Sequence, residues 1–149
     1  MPKRISFGTR AGVILALLAL ALAGCSLFNQ TTSGQQSQGA VLGRVVTAEG
    51  ITQNAAPVNE TNSFSASQDR IYVVAEAQRI EPGTSMFARW SRDGRPFEDS
   101  QPVTANKLYE NTYVEFHLQP VKGNFDPGQY NVQIFVNGNP EKQATFNVQ

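Results

Sequence analysis

The sequence predicts an all-β domain of about seven short strands, and three observations lead there. From residue 40 to residue 149 no apolar stripe of helical period runs long enough to make a helix. Segments that alternate apolar and polar residues recur instead, as half-buried strands require, because side chains reverse face at every residue. Gly, Pro, Asn and Asp punctuate those segments at the short intervals expected of turns. About 110 residues are one domain's worth of chain.

Val41 to Thr47 is the first strand, followed by a polar loop through Ser63. In Ile71 to Gln78, Ile71, Val73, Ala75 and Ala77 face a core while Tyr72, Glu76 and Gln78 face out. Glu81-Pro82-Gly83-Thr84 is a turn. Ser85 to Ser91 then sets Met86, Ala88 and Trp90 on one face and Phe87 and Arg89 on the other. Asp93-Gly94 suits a tight hairpin, so a short strand returns through Pro96 and Phe97, and a polar stretch runs from Asp99 to Asn111. Thr112 to Leu118 points Val114, Phe116 and Leu118 inward. Gln129 to Asn137 does the same with Tyr130, Val132, Ile134 and Val136. After Asn137-Gly138 the last strand buries Ala144, Phe146 and Val148.

Asp126-Pro127-Gly128-Gln129-Tyr130 resembles the Asp-x-Gly-x-Tyr tyrosine corner of immunoglobulin-like sandwiches, in which the Tyr hydroxyl bonds back to upstream backbone. Trp90 stands on the third main strand, where such a domain buries its Trp. The resemblance covers residues 41 to 149. It implies a single immunoglobulin-like β-sandwich of about seven antiparallel strands over residues 40–149, with Trp90, Asp126, Gly128 and Tyr130 in structural roles. It departs at the disulfide. Two residues after the corner tyrosine stands Val132, and the partner strand offers Val73 or Ala75, so apolar packing replaces the bridge.

Ahead of this domain, Lys3, Arg4 and Arg10 flank an apolar run from Ala11 to Gly24. A run of that length is shorter than the ~20 residues that span a hydrocarbon core, and basic residues before a short apolar run mark an export signal. Leu22-Ala23-Gly24-Cys25 resembles the lipobox of bacterial lipoproteins. That likeness implies loss of residues 1–24, acyl chains on Cys25, and an extracytoplasmic domain held to the membrane. With Ser26 rather than Asp next in line, the family's sorting rule favours the outer membrane where an organism has two. Residues 25–39, rich in Ser, Thr, Gln, Asn and Gly, form a flexible tether. As a coil its root-mean-square reach is roughly 20 Å.

Composition then narrows the function. Losing residues 1–24 leaves nine basic residues against twelve acidic ones, which argues against nucleic acid, whose recognition calls for a basic stripe. His117 is the single histidine and sits on an outer strand face beside Glu115, so neither a Ser-His-Asp nor a Cys-His arrangement assembles readily around it. Zinc wants several His or Cys ligands, and neither a calcium loop nor a phosphate loop is present. The expectation is a non-enzymatic chain with no metal and no cofactor. Strand alternation puts Phe87, Arg89 and Phe135 outward as one exposed cluster, and aromatics with Arg are enriched in contact patches. These three are the expected partner-binding residues. They would serve an interaction, assembly or accessory module of the cell envelope with a protein partner, or alternatively a carbohydrate-binding module for envelope or extracellular glycans.

Overall fold

The computed structural model describes residues 39–149. The export signal, Cys25 and the tether up to residue 38 lie outside the described residues. Ten strands are formed, and no helix is found among the described residues: β1 Ala40–Ile51, β2 Pro57–Glu60, β3 Ser63–Phe64, β4 Ile71–Ile80, β5 Ser85–Arg92, β6 Arg95–Asp99, β7 Val103–Thr104, β8 Tyr109–Leu118, β9 Gly128–Val136 and β10 Asn139–Val148.

The strands divide into two sheets. One has the order β2-β1-β4-β8; the other has β3-β10-β9-β5-β6, with β7 also pairing β5. Seven strands match the sequence expectation in place, and the five whose inward residues were expected, β4, β5, β8, β9 and β10, turn those residues to the core. The three extra strands, β2, β3 and β7, are only two to four residues long. They form because neighbouring backbone offers hydrogen-bond partners, a tertiary effect that local pattern does not report. One of them also departs from the expected antiparallel pairing: β3 runs parallel to β10, Ser63 opposite Asn147 and Phe64 opposite Val148. The chain crosses here from one sheet to the other, and Phe64, directly after the stretch expected to be loop, enters the core with almost no exposure.

Burial follows the alternation along most of the long strands, with Val74 on β4 and Phe135 on β9 buried as well on the outer faces. Ile71, Val73, Ala75 and Ala77 on one sheet meet Met86, Ala88, Trp90, Val132, Ile134 and Val136 on the other. Val132, Val73 and Ala75 are buried where a disulfide would cross in an antibody-type domain, so apolar packing fills that place. Trp90 lies edge-on to Phe146 at 6.2 Å, and Phe146 stacks on Tyr130 at 5.1 Å. Trp90 Nε1 is buried with no hydrogen-bond acceptor, a cost the aromatic packing offsets.

Two hairpins have the geometry their residues encode. Asp93 and Gly94 take φ of 49° and 78°, and Asn137 and Gly138 take 49° and 81°, the double left-handed conformation that matches strand twist. At the other end of β9 the tyrosine corner is complete: the Tyr130 hydroxyl donates to the Asp126 carbonyl at 2.8 Å. Gly128 has a φ of 153°, and a Cβ there would stand 3.2 Å from Asp93 Oδ2, so the corner and the Asp93 turn are packed against each other. Asp93 Oδ1 accepts the Gln129 backbone N–H at 3.2 Å.

Candidate interaction site

Two places on the surface join aromatic or apolar side chains with charge. The first is on the outer face of the β5–β9 pair. Phe87 and Phe135 are opposite one another in the ladder, and their rings stack at 4.6 Å, 7° from parallel. The guanidinium of Arg89 lies over both rings, 5.9 Å from one centroid and 5.1 Å from the other. Arg89 is fixed there by a two-point pair with Asp99 on β6, at 2.8 and 2.7 Å. Hydrogen bonding to Arg89 holds the Asp99 carboxyl below the usual carboxylate range, ahead of the opposing effect of desolvation.

Phe87, Arg89 and Phe135 therefore point outward and meet, as alternation requires. The expectation that all three are exposed needs correction. Phe135 keeps only 9% of its surface in water: it stands between two cross-strand neighbours, Phe87 on β5 and Pro140 on β10, and Arg89 lies above it. The cation, in turn, is already occupied by Asp99.

The second place is an open cleft of about 600 Å³ between the β5–β6 hairpin and the β8–β9 connection. Its floor is Leu118, Phe125 and Tyr130, all buried. On its rim Phe97 stays 51% exposed and Val121 91% exposed, while the Phe97 ring abuts Tyr130 edge-on at 6.0 Å. Arg92 and Asp126 form an ion pair on the wall. Asp126 first and Tyr130 second strengthen the hold of Arg92 on its proton. Arg95 and Lys122 complete the rim.

Sequence reasoning did not select this cleft. One signal was present: Phe97 and Val121 are large apolar residues in polar surroundings, and each directly follows a proline, Pro96 or Pro120. Proline restrains the backbone at the point where the apolar side chain is held out. His117 is exposed on β8, 3.3 Å from Glu115 and tilted against Tyr72 at 5.7 Å. Among the described residues no three His, Cys, Asp or Glu side chains converge as metal ligands do. Cys25 lies outside the described residues.

No protein-family model matches the sequence, and no curated protein matches it either. Among solved structures the chain is similar to an immunoglobulin-like protein from Pseudomonas aeruginosa. Identity is 12%, the match covers 78% of this chain and all of that one, and the TM-score is 0.51. Weaker likenesses are the CARDB domain from Pyrococcus furiosus, at 16% identity over 75% of this chain and 89% of that one, TM-score 0.41, and the alkylpurine DNA glycosylase AlkC from Pseudomonas fluorescens, at 10% identity over 74% and 30%, TM-score 0.42. At such identities likeness speaks for the fold alone. With the two sheets, the tyrosine corner and the buried Trp90, the domain is an immunoglobulin-like β-sandwich.

Proposed function

We propose that this chain is an exported lipoprotein, acylated at Cys25, whose immunoglobulin-like domain is a non-enzymatic interaction module of the cell envelope. The observation that carries the reading is the position of the cleft. The described chain begins at Gly39, whose carbonyl accepts from Glu81 N at 2.7 Å and from Thr84 Oγ1 at 2.8 Å, beside the Asn137 turn. The cleft lies at the other end of β5, roughly 25 Å away for a strand of that length. Gly39 lies at one end of the domain, and the exposed Phe97 and Val121 are presented at the other.

The partner class is protein. A cleft with an apolar floor and an Arg-bearing rim has the make-up of contact sites. The alternative, a glycan, favours several rings set out as a platform, and Phe97 is the one half-exposed ring among Phe97, Phe125 and Tyr130. The cluster of Phe87, Arg89 and Phe135 is the second contact surface in this reading, with Phe87 its accessible part.

The test is recovery of partners from the native envelope with wild-type chain and with a Phe97→Ser, Val121→Ser double variant. Exposed substitutions of this kind shift stability by about 0.5 kcal/mol each, so the variant stays folded. We expect wild type to recover a defined protein and the variant to lose it. Recovery of glycan alone supports the carbohydrate reading; undiminished recovery by the variant moves the contact to Phe87 and Arg89. In parallel, a tagged fatty acid marks wild type and leaves Cys25→Ser unmarked. An unmarked wild type ends the lipoprotein reading.

A further inference from the structure

The two sheets end in β2, β8, β3 and β6, with the two-residue β7 beside β6 on the same edge of β5, and β3, β2 and β6 carry features that discourage another strand from pairing. β3 is two residues long. β2 is four residues long, includes Pro57 and holds Asn59 at a φ of 54°. β6 contains Pro96, and its register with β5 shifts between Trp90 and Ser91. β8 has no such guard over Thr112 to Leu118, seven consecutive residues in unbroken register with β4. That stretch contains no Pro and no Lys. Among the described residues its backbone ladder is to β4 alone, and no turn or loop backbone bonds to it.

The same stretch is complementary to itself in one antiparallel register. With a second β8 running the other way and Phe116 at the centre, the five residues Val114 to Leu118 pair with their counterparts, Glu115 stands opposite His117 of the second copy, and symmetry makes that contact twice. Centring on Glu115 or on His117 instead sets two like side chains against each other. Both side chains lie on the outer face, where Glu115 and His117 are already 3.3 Å apart within the chain.

We propose that β8 pairs with β8 of a second copy of this chain, antiparallel and centred on Phe116, so that two four-stranded sheets become one continuous sheet. Main-chain hydrogen bonds supply the attraction and the Glu115 and His117 pairs fix the register. The contact is isologous, uses the same surface on both copies, and closes at two. It does not depend on what the cleft binds, which lies at the end of the strands and not along this edge.

Sedimentation equilibrium of the full chain, with detergent micelles in excess over protein, tests this. Wild type is expected to dimerise. Glu115→Lys sets the new cation against His117 of the second copy, and His117→Glu sets two carboxylates against each other, so each variant alone weakens dimerisation about tenfold or more. Mixing the two variants restores it, because the introduced lysine then faces the introduced glutamate and the native Glu115 faces the native His117. Thermal melts of each variant check that the monomers are folded. A wild type that stays monomeric at millimolar concentration overturns the proposal, and so does a dimer indifferent to both substitutions or one that the mixture fails to restore.

Discussion

β5 and β9 carry aromatic residues on both of their faces, and the two faces are buried by different means. Inside, Trp90 and Tyr130 gather around Phe146, and the opposite sheet covers them. Outside, no second sheet of the described residues lies above Phe87 and Phe135. A stacked ring, a guanidinium and the cross-strand Pro140 stand around Phe135 there, and it ends with 9% exposure. The direction of a side chain is thus a property of its own strand, fixed by alternation. Its exposure is a property of the cross-strand neighbours, which the strand's own sequence does not name.

The sharpest way to break this comparison is to remove one ring from each face. Trp90→Ala is expected to cost roughly 3–5 kcal/mol, as large core deletions do, which is much of the ~5–15 kcal/mol holding a domain together. Phe135→Ala is expected to cost about 2 kcal/mol, in line with full burial of a Phe side chain. Urea denaturation of both variants measures the difference. If Phe135→Ala costs no more than an exposed substitution, about 0.5 kcal/mol, the outer ring is not packed and the two faces do not share the same physics.

That contrast also explains what could be read in the sequence. The seven long strands, both tight hairpins and the corner at Tyr130 were legible because each is encoded locally: by alternation, by Asp93-Gly94 and Asn137-Gly138, and by the Asp126-Pro127-Gly128-Gln129-Tyr130 run. The inward places of Trp90, Val132 and Phe146 followed from period alone. Phe64 and Phe125 were not legible, since each sits in a polar stretch and is buried by contacts made far along the chain: Phe125 N donates to Ala66 O at 2.8 Å. The cleft escaped for the same reason. Its floor comes from β8, β9 and Phe125 of their connection, its rim from the β5–β6 hairpin and the same connection, and only folding brings those segments together.

Smaller effects refine the comparison. Tyr130→Phe keeps the stacking on Phe146 and removes the 2.8 Å bond to Asp126, so about 1 kcal/mol is expected. On the outer face a double-mutant cycle with Phe87→Ala and Phe135→Ala isolates the ring pair, and a coupling of about 0.5–1.5 kcal/mol is expected. A coupling near zero would mean that Arg89 and Pro140, and not Phe87, keep water from Phe135.

The smallest expected effect tests the ionic part of the outer cover through pH. The Asp99 carboxyl is held below its ordinary value, first by hydrogen bonding to Arg89 and then by its charge, against the opposing pull of desolvation. A carboxylate depressed in the folded state contributes its full stability above the unfolded value of about 3.9 and loses it as pH falls through the lower folded value. Wild type and Asp99→Asn should therefore differ in stability by a constant amount from neutral pH to mild acid. Below about pH 4 that difference should shrink, since protonated Asp99 and Asn are alike in charge. Every other carboxylate titrates in both proteins, so subtraction removes them. The side chains of Arg89 and Asp99 keep 40% and 45% of their surface in water, and pairs this exposed contribute little. A difference that stays constant far below pH 4 would show that Arg89 covers the rings without drawing on Asp99, and that its position over Phe87 and Phe135 rests on cation–π attraction alone.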